Sequence, residues 1–265
     1  MHLAAPYNLI LTNNEVDVLI PAIKGTESIL KSVDAHGTAV KRVILTSSFS
    51  AIYDPTKGLN PGHVYTEDDW SPITYDIARD GDGYTAYFGA KTLAEKAAWD
   101  FVRQLSSPPK FDITVLNPPI VMGPSAKPLN FAALGTSMGD INRLIDGSST
   151  EVPGPSFWPF VDVRDVATGH VRALESPSTA GQRILLASSM FSFQQVCDIL
   201  HKSDRIGEED KAKIPVGKPG QDYPGPHTYT VDVSKSQKLL GLEYRTLEET
   251  VVDAALSIIQ SRNSQ

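Results

Sequence analysis

Cys197 is the only cysteine in a chain of 265 residues, so no disulfide can close within it. A protein without that staple suits a reducing compartment, and a cytoplasmic location is the expectation. Cys197 lies in the amphipathic stretch 193–200, where packing rather than reactivity is its expected part. The six histidines are scattered and no Cys/His cluster has ligand spacing, so no metal site is expected. No apolar run reaches the about 20 residues that span a bilayer. No basic cluster ahead of an apolar stretch marks a secretory signal. Positive charge is scarce too: 24 Lys and Arg stand against 31 Asp and Glu, a net charge of -7. That balance argues against nucleic acid or an anionic membrane as partner, though a local pocket can still take a small anion.

With 41% hydrophobic and 21% charged residues, the chain can bury a sizeable core as one large domain or two small ones. Residues 16–33 have helical apolar spacing, interrupted by Pro21 and Gly25, which predicts a kink or a late helix start. The short β-rich run 43–46 reads as a buried parallel strand. Residues 53–83 are rich in Pro, Gly and Asp and read as a long loop with little regular structure. The clearest helix spans 84–105, with Lys91 on its apolar face and Pro108 and Pro109 beyond its end. A strand at 112–117 stops at Pro118 and Pro119, and a helix at 163–174, capped by Asp162, has His170 in its apolar row. A strand follows at 183–187. Capping-box patterns at Ser192/Gln195 and Thr246/Glu249 announce two later helices, and residues 208–210 read as a solvated turn. Strands alternating with helices imply an α/β fold with a parallel sheet. The less regular later half suggests a smaller lobe beside it.

Tyr87 and Lys91 are four apart on the predicted helix, so they share a face one turn apart. An ammonium beside a phenol favours the phenolate and brings tyrosine closer to a useful acid–base range. The spacing alone also fits a buried tyrosine beside a snorkelling lysine. A second copy, Tyr53 and Lys57, is discarded because Pro55 lies between them. Thr46, Ser47 and Ser48 sit where the strand 43–46 ends, and ligands of open α/β sheets bind beyond such ends. A serine there can hydrogen-bond a substrate carbonyl opposite the tyrosine. Ser48 is the preferred candidate, Ser47 and Ser50 are its rivals, and simple turn capping is the plain alternative. Residues 117–124 (NPPIVMGP), again just past a strand, form a proline-stiffened loop that could press on a flat ring.

These stretches together resemble the extended short-chain dehydrogenase/reductases of the NAD-dependent epimerase/dehydratase superfamily. The branch is that of fungal NADPH-dependent methylglyoxal reductases and plant dihydroflavonol reductases. The likeness is carried by 2–6 (HLAAP), 42–48 (RVILTSS), 87–99 (YFGAKTLAEKAAW), 117–124 and 160–175 (FVDVRDVATGHVRALE), with 214–220 and 238–241 in support. It implies a Ser48–Tyr87–Lys91 triad that reduces an aldehyde or ketone with NADPH, NADH being the other possible donor. It implies cofactor contacts from Ala4, Ala5, Thr46, Tyr87, Lys91, Pro118 and Val121, and substrate contacts from Phe49, Ile120 and Trp158. The implied fold is an incomplete Rossmann-type doubly wound parallel sheet with a smaller C-terminal substrate lobe. Residues 1–125 and 160–190 would form the dinucleotide-binding core, and 126–159 and 191–265 the lobe.

The incompleteness is an expectation from a missing motif. Relatives open on a strand, a Gly-rich turn and a helix that cradle the pyrophosphate. No such glycine spacing follows a strand in this sequence, so roughly 60–90 residues, at about 30 per βαβ unit, are expected to be absent from its front. Weakened cofactor binding, impaired activity and a compensating homo-oligomer are the expected consequences. A non-catalytic binding or regulatory relative, whether pseudoenzyme or truncated gene product, is the rival reading. A lesser rival is a serine hydrolase using Ser137 of Gly135-Thr136-Ser137-Met138-Gly139, with His170 and Asp162 or Asp165. Against it, residues 130–134 read as helix rather than strand, and His170 as a satisfied core histidine.

Overall fold

A computed structural model describes residues 1–3, 11–105, 110–154 and 156–264. Its first helix, α1 (Ile20–His36), follows a π-helical turn, Glu15–Leu19. Pro21 falls in the first turn of α1, where its missing N–H costs nothing, and Gly25 does not interrupt the helix. Strand β1 (Arg42–Thr46) comes next. The predicted long loop then proves more ordered than expected. It holds a 3₁₀ turn at Pro55–Lys57, strand β2 (Val64–Tyr65) and helix α2 (Tyr75–Asp80). Thr74 caps α2 through its hydroxyl, one of the Asx- and Ser/Thr-type signals hidden in that polar stretch.

Helix α3 (Gly83–Arg103) leads to β3 (Asp112–Asn117) and β4 (Ile120–Met122). Only a 3₁₀ turn, Phe131–Ala133, precedes α4 (Thr136–Ile145), so the expected helix lies a few residues later than read. Then come β5 (Trp158–Asp162), α5 (Val163–Glu175), β6 (Arg183–Leu185), β7 (Ser189–Phe191) and α6 (Phe193–Lys202). A short helix α7 (Glu208–Lys211), β8 (Thr230–Val231), α8 (Ser234–Leu240) and α9 (Leu247–Asn263) complete the order. Thr246 and Glu249 form the full capping box of α9, whereas Ser192 caps α6 without a reciprocal bond from Gln195.

The central sheet runs β1-β3-β6, all parallel, with Val43 opposite Ile113 and Leu45 opposite Val115. His2 adds a parallel bridge on the outer side of β1, its N–H on the Ile44 carbonyl. Alternation divides the strand side chains between two faces. Val43, Leu45, Ile113 and Val115 pack with α1 and α3 through Leu30 and Ala98. Ile44, Leu116 and Ile184 pack with α5 and α8 through Ala173 and Leu240. Both faces are covered, which is why these strands read as continuous apolar runs. The sheet is thus the parallel α/β sheet the sequence implied.

A second sheet, β4-β5-β7, pairs β4 with β5 in parallel and β5 with β7 antiparallel. It shares a core with α4, α6 and α9, built on Ile141, Phe160, Phe191, Val196, Val251 and Ile258. Cys197 is buried there, and burial pushes its thiol up to about 12, so it is a packing residue. Strands β2 and β8 pair beneath a cluster of Phe49, Tyr53, Tyr65 and Tyr229 at the carboxyl end of the central sheet. None of the helices is long and apolar enough to cross a membrane, among the described residues.

Candidate active site

Strand β1 ends at Thr46, and the chain then turns sharply over the end of β3. Ser47 N–H still reaches the Leu116 carbonyl at 2.8 Å, and Phe49 N–H reaches that of Pro118 at 2.9 Å. Between them Ser48 is fully extended (φ -159°, ψ 154°), so its side chain points opposite to that of Ser47. Ser48 Oγ accepts from Ser50 N–H at 3.1 Å and lies 3.2 Å from Ser50 Oγ. It therefore caps the 3₁₀ turn Phe49–Ala51 and also lines a cavity, so the two readings of this serine coexist. Ser47 is removed from contention because its hydroxyl is spent on Glu95 Oε2 at 2.5 Å, in the interior. Ser50 also borders the cavity.

Helix α3 supplies Tyr87 and Lys91. Asp82 caps it, accepting from Thr85 N–H, and its inner face is made of small residues that let it lie close to its neighbours. At Gly89 a Cβ would sit 2.2 Å from the Ala78 Cβ of α2, so only glycine permits that approach. Lys91 Nζ is 6.0 Å from the centroid of the Tyr87 ring, as the four-residue spacing predicted. Tyr87 and Ser48, from different elements, line the same cavity. Lys91 is half-buried and makes no hydrogen bond among the described residues. Burial holds its ammonium below the usual lysine range, and the Glu95 carboxylate partly opposes this. A desolvated cation with unused donors fits the hydroxyls of a bound ribose.

Glu95, one further turn along α3, is the residue that sequence reasoning missed. It is 1% exposed. It takes hydrogen bonds from Ser47 Oγ, Trp99 Nε1 (3.2 Å), Asn117 Nδ2 (2.8 Å) and Arg183 Nε (2.6 Å). Asn117 Nδ2 also donates to the Ser48 carbonyl at 3.1 Å. Arg183 in turn holds the carbonyls of Glu67, Asp69 and Ala51, and its guanidinium stacks 3.8 Å from the Trp70 ring centroid. One buried carboxylate thus ties the Tyr87–Lys91 helix to the Ser48 backbone and to the 53–83 segment. The signal was available: an acidic residue one turn beyond Lys91 on the helix face that turns inward.

The cavity measures about 540 Å³. Phe49, Ile120, Val121 and Trp158 line it, so the predicted substrate residues and Val121 meet Ser48 and Tyr87 in one place. Tyr53 lines it as well, with its hydroxyl on the Gly58 carbonyl at 3.1 Å. Its discarded partner Lys57 sits in a 3₁₀ turn, and burial raises the Tyr53 phenol rather than activating it. Pro118 is buried beside the Ser48 turn, with its carbonyl taken by Phe49. Thr46 bonds His170 Nε2 at 2.7 Å through its hydroxyl. Ala4 and Ala5 lie outside the described residues.

The hydrolase constellation does not assemble. Ser137 Oγ donates to the Val121 carbonyl at 2.5 Å from the first turn of α4, with no strand leading into it. His170, 4% exposed, spends both ring nitrogens, Nε2 on Thr46 and Nδ1 on the Val166 carbonyl at 2.8 Å. Asp162 is held by Arg164 and Thr250, and Asp165 by Arg245.

Residues 1–187 match the family described as the NAD dependent epimerase/dehydratase family. The chain is 37% identical over 265 residues to the NADPH-dependent methylglyoxal reductase of Saccharomyces cerevisiae, covering 98% of this chain and 76% of the relative. It is 35% identical over 263 residues to a ketoreductase of Aspergillus niger, covering 98% and 75%. The crystal structure of the yeast methylglyoxal/isovaleraldehyde reductase complexed with NADPH superposes with a TM-score of 0.89 at 35% identity, covering 99% of this chain and 76% of that one.

Proposed function

The chain belongs to the NAD dependent epimerase/dehydratase family, and on that premise we propose that it reduces an aldehyde or ketone with NADPH. The observation that carries the reading is the meeting of Ser48 and Tyr87 on one aromatic-walled cavity, with the Lys91 ammonium beside the Tyr87 ring. When bound, the dinucleotide supplies the hydride. The work of the chain is to bind, orient and move a proton. The Ser48 hydroxyl turns from Ser50 to donate to the substrate carbonyl oxygen, polarising it. The Tyr87 phenol gives its proton to that oxygen as charge develops there. Lys91 favours charge on the phenol oxygen and offers its donors to the ribose. Pro118, Val121 and Thr46 would hold the dinucleotide, and Phe49, Ile120 and Trp158 would exclude water from the reacting carbon. In this reading residues 1–125 and 160–190 hold the dinucleotide, and 126–159 and 191–265 hold the substrate. An enzyme with one buried thiol suits the cytoplasm.

Titration of the chain with NADPH, and separately NADH, tests the first half of the reading by fluorescence or calorimetry. Saturable micromolar binding is expected, with NADPH the tighter. A carbonyl panel followed by NADPH consumption tests the second. Tyr87→Phe should lower kcat by about 10²–10⁴ while the protein still binds NADPH. A folded chain that binds neither dinucleotide at millimolar concentration would leave a non-catalytic relative.

A further inference from the structure

The cavity carries a carboxylate that the reaction does not use. Asp140, from the second turn of α4, lines it together with Thr136 and Ser137. The start of α4 is pinned to β4 by the Ser137 hydroxyl on the Val121 carbonyl, so Asp140 is held in place by a bond to the cavity wall itself. Its side chain is 26% exposed. One oxygen, Oδ1, pairs with Arg143, which is largely in solvent. Oδ2 makes no hydrogen bond among the described residues. Burial raises this carboxyl above the usual aspartate range, and the Arg143 charge only partly offsets it. A half-buried carboxylate that lines an aromatic-walled chamber and keeps one oxygen idle is an acceptor whose desolvation is only partly compensated.

We propose that Asp140 selects carbonyl substrates that carry a hydroxyl group apart from the reacting carbonyl, on an otherwise apolar, flat body. This rests on the reductase reading of the same cavity. The body follows from Phe49, Tyr53, Phe88, Trp158 and Phe193, which give the chamber its aromatic walls. The hydroxyl follows from the idle oxygen, which can only accept. Arg143 already balances the charge of Asp140, so a neutral donor suits the pair better than an ammonium. An oxo acid would bring a second carboxylate toward Oδ2 and be disfavoured by like-charge repulsion.

The test is affinity rather than turnover. Calorimetry compares two matched aryl ketones, one ending in a hydroxymethyl group and one in methyl, on the wild type, Asp140→Leu and Asp140→Asn. In the wild type the hydroxymethyl ketone should bind about tenfold tighter than its methyl partner, the worth of one hydrogen bond to a charged group. Asp140→Leu should bring that ratio to about one, and Asp140→Asn, which keeps an acceptor oxygen, should leave it in between. The exposed Arg143 pair contributes little to folding, so both variants should fold. A ratio that survives in Asp140→Leu, or a wild type that binds neither ketone, overturns the proposal. A wild type that shows the preference but reduces no carbonyl keeps the proposal and sinks the reductase reading alone.

Discussion

Helices α3 and α5 cover opposite faces of one sheet and distribute their polarity in opposite ways. The inner side of α3 is small and apolar, at Ala86, Gly89, Ala90 and Ala98, with one buried charge, Glu95, among them. The inner side of α5 is Asp165, Gly169, His170 and Ala173, and its apolar row faces outward, with Val171 48% and Leu174 49% exposed. The sequence pattern put His170 in that row as a core histidine, and His170 is indeed buried, while Val171 and Leu174 are not. What decides the matter is partners. His170 is bonded to Thr46 and Val166, and Asp165 to Arg245, so the polar groups of the inner side are satisfied there. Helical periodicity finds a stripe. It does not say which stripe turns inward when both have something to offer.

The largest effect should come from α3. Glu95→Ala removes the acceptor of four side chains and leaves the Arg183 guanidinium buried with only carbonyls for company. Breaking one side of such a buried pair costs about 3–5 kcal/mol. Urea denaturation should read that loss. Activity should fall as well, because Asn117 then loses half of what positions the Ser48 carbonyl. A loss under about 1 kcal/mol would mean that the cluster is no keystone. No matching residue exists on α5: its buried Asp165 is paired with an arginine that is 37% exposed.

Lys91 sharpens the contrast within α3, since in the proposed reading its buried ammonium serves chemistry at the expense of stability. Its ammonium is held below the usual lysine range by burial, which means folding disfavours its charged form. The unfolded chain therefore binds the proton more tightly, and stability rises with pH between the folded value and the ordinary one near 10.4. Below that window the cost is fully present. Lys91→Met should thus be more stable than the wild type at neutral pH and lose that advantage as pH approaches about 10. It should also be inactive. Thermal unfolding across that range decides it; a destabilised Lys91→Met would assign the lysine a structural part instead.

The strands and the closeness of Tyr87 and Lys91 were legible because each is a local pattern. The runs 43–46 and 112–117 are continuous apolar stretches doubly covered by helices, and Tyr87 and Lys91 need only one turn of helix to meet. Ser48 was legible as the residue after a strand end. What sequence could not show is why its rival Ser47 drops out: Glu95, 48 residues away in sequence, captures the Ser47 hydroxyl. The order within 53–83 was hidden for the same reason. Strand β2 pairs with β8 far along the chain, and the segment is held by Arg183 through backbone carbonyls, to which sequence patterns are blind. Asp140 gave no pattern at all, since one acidic residue on an amphipathic helix ordinarily faces solvent.

The smallest expected effect belongs to the outward row of α5. Leu174→Lys changes an exposed position whose neighbours on the inner side are already satisfied, so stability should move by no more than about 0.5 kcal/mol. The same change on the inner side, at Ala173, would drive a charge against Ile44 and Ile184 and cost far more. The comparison turns on protein concentration. If Leu174→Lys unfolds like the wild type at every concentration, the row stands in water and the partner bonds of His170 and Asp165 alone orient α5. If it is destabilised and the wild type melts higher when concentrated, the row is covered in solution by a second copy of the chain. The orientation of α5 then serves two surfaces at once, with polar groups for the sheet and an apolar row for the homo-oligomer. Sedimentation of the two proteins side by side separates these cases, because only the second predicts a lighter species for the lysine variant.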